Sequence, residues 1–179
     1  IEKLMNDEYR DLASFADKSF RIFEKTNEKI TLIRNGLVKI DNISIKAMII
    51  KSYMLEDKKI VIDYEISFSD NMNRFNVVFS PEINVVAISY PNNTHILIDT
   101  KEICLSKEIS IQTQKIALQD LNENAIIKLG FPKTVECVIF PLFSIQYTNR
   151  EIKEYQGTSI FPKFIIEGEK LHLNIEIEI

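Results

Sequence analysis

Histidine, cysteine and glycine are all scarce in this chain, and each shortage closes a class of chemistry. The two histidines, His95 and His172, share no metal-ligand spacing: one follows an Asn92-Asn93-Thr94 turn, the other sits on the polar side of the last strand-like segment. They are expected to be unrelated surface residues, with no metal and no cofactor. The two cysteines, Cys104 and Cys137, lie in separate segments without CxxC spacing. That pattern predicts buried free thiols, and with them an intracellular, cytoplasmic setting. The four glycines, Gly36, Gly130, Gly157 and Gly168, are too dispersed to cradle a phosphate, and no G-x-S-x-G elbow is present. A basic excess is missing too: 22 Lys and Arg against 26 Asp and Glu give a formal net charge of -4. Nucleic acid is therefore not an expected partner. No run approaches the roughly 18 apolar residues of a spanning helix, and the start does not read as a basic segment followed by an apolar core. No membrane partner is expected.

What is present is strand grammar. A chain of 179 residues, 45% of them hydrophobic, can bury a core without a disulfide or metal staple, so one domain is the default. The chain opens on Ile1 rather than Met, which hints at a piece of a longer protein. In residues 1–29, Leu4, Tyr9, Leu12, Phe15, Phe20 and Phe23 recur among charges at irregular helical spacing, predicting a helical or connecting arm. Residues 30–179 read as a β-sandwich domain of short Ile/Val-rich segments with period-two alternation, punctuated by Asn, Asp, Gly and Pro. The clearest is the last, where Leu171, Leu173, Ile175, Ile177 and Ile179 alternate with His172, Asn174, Glu176 and Glu178. Ile43 to Leu55 and Ile60 to Phe68 flank a four-residue polar linker of hairpin length. Further strands are expected at Ile30 to Ile40, Phe75 to Ser89, His95 to Thr100, Ile109 to Leu118, Ala125 to Leu129, Val135 to Gln146 and Ile152 to Ile166. Many strands and one helical region argue for two packed antiparallel sheets.

No complete catalytic constellation is evident. Carboxylates such as Glu65, Glu82, Asp99, Glu102, Asp120 and Glu136 are available, but glycoside hydrolysis needs two at a defined separation, and sequence alone does not pair them. Aromatic faces with flanking amides suit sugar recognition, and two groups have that chemistry: Tyr147, Tyr155, Gln156 and Phe161, and Tyr90 with Asn92 and Asn93. Strand tyrosines equally serve to pack a sheet with the hydroxyl at its edge.

The order of the segments carries a resemblance. Phe140-Pro141, a polar hairpin, Tyr155-Gln156-Gly157-Thr158-Ser159, Phe161-Pro162, an acidic turn and the final strand resemble the end of family 57 glycoside hydrolases of the 4-α-glucanotransferase and α-amylase type. Upstream, Tyr9 to Phe20, Leu32 to Gly36 with Arg34, Lys51 to Tyr53, Tyr64, and Phe79 to Asn84 with Glu82 follow in the family's order. The chain departs from it near Leu12 and Lys18-Ser19, where an arginine and a histidine would be expected. Its hairpin at Tyr147-Thr148-Asn149-Arg150 is also shorter.

The resemblance implies a C-terminal, mutarotase-like supersandwich, with the catalytic carboxylates on an N-terminal barrel outside this chain. It implies an accessory domain that scaffolds that barrel and contacts α-1,4-glucan. The candidate residues for sugar contact or docking are Tyr155, Gln156, Gly157 and Tyr147, with none assigned to catalysis. A stand-alone carbohydrate-binding or structural interaction module is the alternative.

Overall fold

The computed structural model describes residues 12, 13, 15, 19–86, 94–98, 101–103, 108–120, 125–147 and 151–178. They form twelve strands: β1 (Arg21–Lys25), β2 (Lys29–Ile40), β3 (Ile43–Glu56), β4 (Lys59–Phe68), β5 (Val78–Phe79), β6 (Ile83–Val85), β7 (Thr94–Ile98), β8 (Lys101–Ile103), β9 (Ile109–Asp120), β10 (Ala125–Tyr147), β11 (Glu151–Ile165) and β12 (Lys170–Glu178). The chain divides into two compact units, residues 1–78 with 165–176, and residues 79–164 with 177–179.

In the first unit the strand order is β1-β2-β3-β4-β12. β1–β2, β2–β3 and β3–β4 all pair antiparallel. Two-residue turns join β2 to β3 and β3 to β4, with Ile40 opposite Ile43 and Glu56 opposite Lys59. Asp41 and Asp57 take positive φ there, a conformation that a short polar side chain tolerates better than a branched one. Alternation then sets the core: Ile45, Ala47 and Ile49 of β3 and Ile62, Tyr64, Ile66 and Phe68 of β4 are buried, while Ser44, Lys46 and Glu65 are exposed. On β12 Leu173 and Ile175 are buried and His172 and Glu176 exposed, as the alternation predicts.

The expected helical arm is corrected. Among the described residues of 1–29 none is helical: Ala13 bridges to Val38, and Arg21–Lys25 form edge strand β1. Their spacing misleads because Phe15 and Phe20 lie against Arg34 of β2 while Phe23 of β1 is exposed, so these apolar residues share no helix face. The one helical turn among the described residues is a 3-10 turn, Met72–Arg74. It ends just before the expected strand Phe75 to Ser89, of which only Val78–Phe79 and Ile83–Val85 are strands among the described residues. Pro81 between them has no amide hydrogen for a ladder.

In the second unit β8-β7-β9-β10 are neighbours in that order, and β11 pairs with β10 and β6. Its described pairings are likewise antiparallel. The two strands expected at Ala125 to Leu129 and Val135 to Gln146 are one strand of 23 residues. The break legible at Gly130 and Pro132 is instead a register shift against β9, between Gly130 opposite Lys115 and Val135 opposite Thr113.

Candidate functional site

The Tyr155-Gln156-Gly157 segment lies in β11 at a bulge. Leu142 faces Gly157 while Phe143 faces Tyr155, so Gln156 is the extra residue. A bulge re-aims side chains, and here it separates the candidates. Tyr155 donates or accepts a hydrogen bond with Thr158 Oγ1 at 2.7 Å and packs edge-on against Phe143, ring centroids 6.2 Å apart. Gln156 is exposed and donates from Nε2 to Ser144 Oγ at 3.0 Å. Ser144 and Phe143 are consecutive on β10, so their side chains emerge on opposite faces. Gly157 is buried, and a Cβ placed on it would lie 3.0 Å from the Val85 carbonyl oxygen. The backbone of Tyr147 pairs with Glu151 at the end of β10, but its side chain lies outside the description. Tyr90, Asn92, Asn93 and Cys104 lie outside the described residues altogether.

The face that carries Ser144 and Gln156 continues into a polar and aromatic strip. Asn84 pairs with Ser159 and Ser159 with Phe140. One step along, Val138 pairs with Phe161 and with Ser110. The next step sets Lys163 beside Glu136 and Glu136 beside Gln112. Ser159 is 0% exposed, and its hydroxyl donates toward Asn84 Oδ1 and to Glu82 Oε1, the latter at 3.3 Å. Asn84 Nδ2 donates to the same Glu82 oxygen at 3.2 Å. Phe161 stacks on Phe140 with centroids 5.5 Å apart and planes 14° from parallel. Lys163 Nζ donates to Glu136 Oε1 at 2.7 Å, and Ser110 Oγ donates to it at 2.8 Å.

Sequence reasoning had Glu82, Asn84, Ser159 and Phe161 as separate marks and missed their convergence. The available signal was two i, i+2 pairs, Glu82/Asn84 and Ser159/Phe161. Only the pairing of β6 with β11, about 75 residues apart in sequence, joins them.

The upstream marks form a different cluster, in the first unit. Arg34, 6% exposed, donates from Nη1 to the Phe15 carbonyl and lies over the Phe15 and Phe20 rings, 5.3 and 5.7 Å from their centroids. Gly36 leaves room for Phe15, whose ring carbon would be 2.7 Å from a Cβ at that position. Lys51 Nζ sits 4.7 and 5.1 Å from the centroids of Tyr53 and Tyr64. Burial pushes the Tyr64 hydroxyl above its ordinary pKa. Arg34 thus holds Phe15 and Phe20 against β2, and Lys51 links β3 to β4 through Tyr53 and Tyr64. A shallow concavity of about 790 Å³ also lies in this unit, lined by residues 73–76 and 165–168.

Cys137 is buried and unpaired as a disulfide. Burial, with Glu136 beside it, pushes its thiol up to about 12. Among the described residues no three of His, Cys, Asp and Glu converge as metal ligands. No helix among them is long and apolar enough to cross a membrane.

Comparison with known proteins places this geometry. The family described as Alpha-amylase/4-alpha-glucanotransferase, C-terminal matches residues 1–177. The chain is similar in structure to 4-alpha-glucanotransferase from Thermococcus litoralis, with TM-score 0.79 and 17% identity, covering 99% of this chain and 25% of that one. It thus spans a quarter of that protein's length. It is also similar to a galactose mutarotase related enzyme from Lactobacillus acidophilus, with TM-score 0.57, 10% identity, and 90% and 71% of the two chains covered. A galactose mutarotase-like protein from Lactobacillus casei matches with TM-score 0.57 and 11% identity over 90% of this chain and 73% of that one. At these identities the structural likenesses show the fold alone: an all-β antiparallel sandwich of the galactose mutarotase-like kind. No curated protein matches the chain in sequence.

Proposed function

Because the chain belongs to the Alpha-amylase/4-alpha-glucanotransferase C-terminal family, we propose that it is a non-catalytic accessory domain of an enzyme acting on α-1,4-glucan. In this reading it packs on a catalytic barrel carried elsewhere in the parent chain and contributes a surface that contacts the glucan. The observation that carries the reading is the family match over residues 1–177. Coverage of only 25% of a full glucanotransferase chain supports a catalytic apparatus outside this segment.

Gln156, exposed on the bulge, and the neighbouring Tyr155 and Tyr147 are its proposed contact residues, and the buried Gly157 serves them by letting β11 approach Val85 closely. The buried free thiol of Cys137 supports a reducing, cytoplasmic setting.

The test is deletion of this domain from the parent enzyme, with glucan cleavage or transfer and thermal stability measured side by side. Loss of folding or of activity on long glucans, restored when the domain is supplied in the same chain, is the expected result. A truncated parent with unchanged stability and unchanged kcat/KM on amylose would overturn the reading.

A further inference from the structure

We propose that the strip formed by Glu82, Asn84, Ser159 and Phe161 on one face of β6, β11 and β10 is a binding site for a neutral sugar chain, with α-1,4-linked glucose as its ligand. The choice of α-glucan rests on the accessory-domain reading; the choice of a neutral sugar rests on the strip itself. Strand pairing puts Asn84, Ser159 and Phe140 in one row, and the next step, beyond Ile83 opposite Ile160, brings Glu82 level with Phe161. Period-two alternation then directs these side chains to one face.

Three properties fit a sugar. Phe161 is partly exposed and is held against the buried Phe140 in a nearly parallel stack, so an apolar ring surface is offered in a fixed orientation at little conformational cost. Glu82 is oriented beforehand: Oε1 accepts from the Asn84 amide and lies 3.3 Å from the Ser159 hydroxyl, which leaves Oε2 for a ligand. A carboxylate oxygen so placed accepts from a hydroxyl of a ring lying on Phe161, and charge-assisted bonds of this kind are the stronger ones. Ser159, fully buried, spends its hydroxyl on fixing Asn84 and Glu82 and acts as a positioning residue.

Charge narrows the class of ligand. Glu136 is matched by Lys163, and the Glu82 carboxylate adds one further negative charge, which disfavours phosphates and acidic sugars and leaves neutral hydroxyl-rich chains. Beyond Phe161 the row runs into the buried Val138, so the accessible part of the strip is its Glu82, Asn84 and Phe161 edge.

The test is titration calorimetry of the chain with maltoheptaose, with each variant's thermal midpoint measured alongside. Glu82→Ala and Phe161→Leu are expected to raise Kd about tenfold each, the scale of one charge-assisted hydrogen bond or one lost stacking face. Glu65→Ala, at an exposed position of the first unit, is expected to leave Kd unchanged. Should Phe161→Leu fail to fold, Glu82→Ala decides, because Glu82 is exposed. Unchanged Kd in folded Glu82→Ala, or no saturable binding by the unaltered chain, overturns the proposal. If Gln156→Ala abolishes binding while Glu82→Ala does not, the strip is wrong and glucan contact through the bulge stands. Deletion of the domain from the parent judges the accessory reading separately.

Discussion

The hydroxyl of Tyr155 lies 2.7 Å from Oγ1 of Thr158, a side chain 1% exposed. In an unbroken strand, residues three apart point to opposite faces. The extra residue Gln156 removes that offset and puts Tyr155 and Thr158 on the same side. Tyr155→Phe is expected to cost about 1 kcal/mol by leaving a buried hydroxyl short of a partner. Tyr155→Ala, which also strips the ring from Phe143, should cost about 2–3 kcal/mol for a half-buried aromatic. Urea unfolding reads both, and a loss under about 0.5 kcal/mol in each would show the contact to be structurally idle.

Gly157 and Gly168 make a matched comparison. A Cβ at position 157 meets the Val85 carbonyl at 3.0 Å, and the β6–β11 ladder holds that carbonyl in place. At position 168 nothing lies within 4 Å, but φ is +72. Gly168→Ala is expected to cost about 1 kcal/mol from the left-handed backbone alone. Gly157→Ala should cost more, about 1–3 kcal/mol, since the strand must move. The reverse order of denaturation midpoints would show that β6 yields freely.

Stability should fall in alkali. Burial holds the Cys137 thiol protonated, lifting it from 9.0 to about 12, and raises the Tyr64 hydroxyl above 10.0. The unfolded chain releases these protons first, so it binds fewer of them than the native state and stability drops with pH. For Cys137 the contribution is complete below pH 9 and lost as pH rises through about 12. Chemical unfolding at successive pH values should show this decline in the unaltered chain and a smaller one in Cys137→Ala. Identical slopes would refute the assignment.

Arg34 should not be replaceable by lysine. It donates to the Phe15 carbonyl while its planar group covers two phenyl rings, and an ammonium cannot reproduce that stacking. Arg34→Lys is expected to cost about 1–2 kcal/mol, against nearly nothing for Arg21→Lys on exposed β1. Hydrogen exchange at the Ala13–Val38 bridge should quicken in the first variant only.

Residues whose environment is decided locally were legible in the sequence. The last strand is one example, since Leu173 and Ile175 alternate with His172 and Glu176 on a sheet with one buried face. The hairpin between β3 and β4 is another, because a polar linker between two apolar runs marks it, although the turn itself is two residues rather than four, with Glu56 paired to Lys59. The family resemblance, carried by ordered marks from the Tyr9 to Phe20 segment through Phe161-Pro162 and the final strand, agrees with the match over residues 1–177. Less legible were β1, whose five residues are all exposed and so show no alternation of burial, and β10, where Gly130 and Pro132 look like a break but mark a register shift.

By itself, then, the sequence determined the all-β class, the faces of the regular strands and the family, because each depends on short-range periodicity or on the linear order of marks. Tertiary structure alone decided that Tyr155 and Gln156 part company across a bulge, and that Glu82 and Asn84 meet Ser159 beside the stacked Phe140 and Phe161. Those relations depend on which strand pairs with which and in what register. A register that shifts by one residue reverses every face downstream of it, and no local pattern records such a shift.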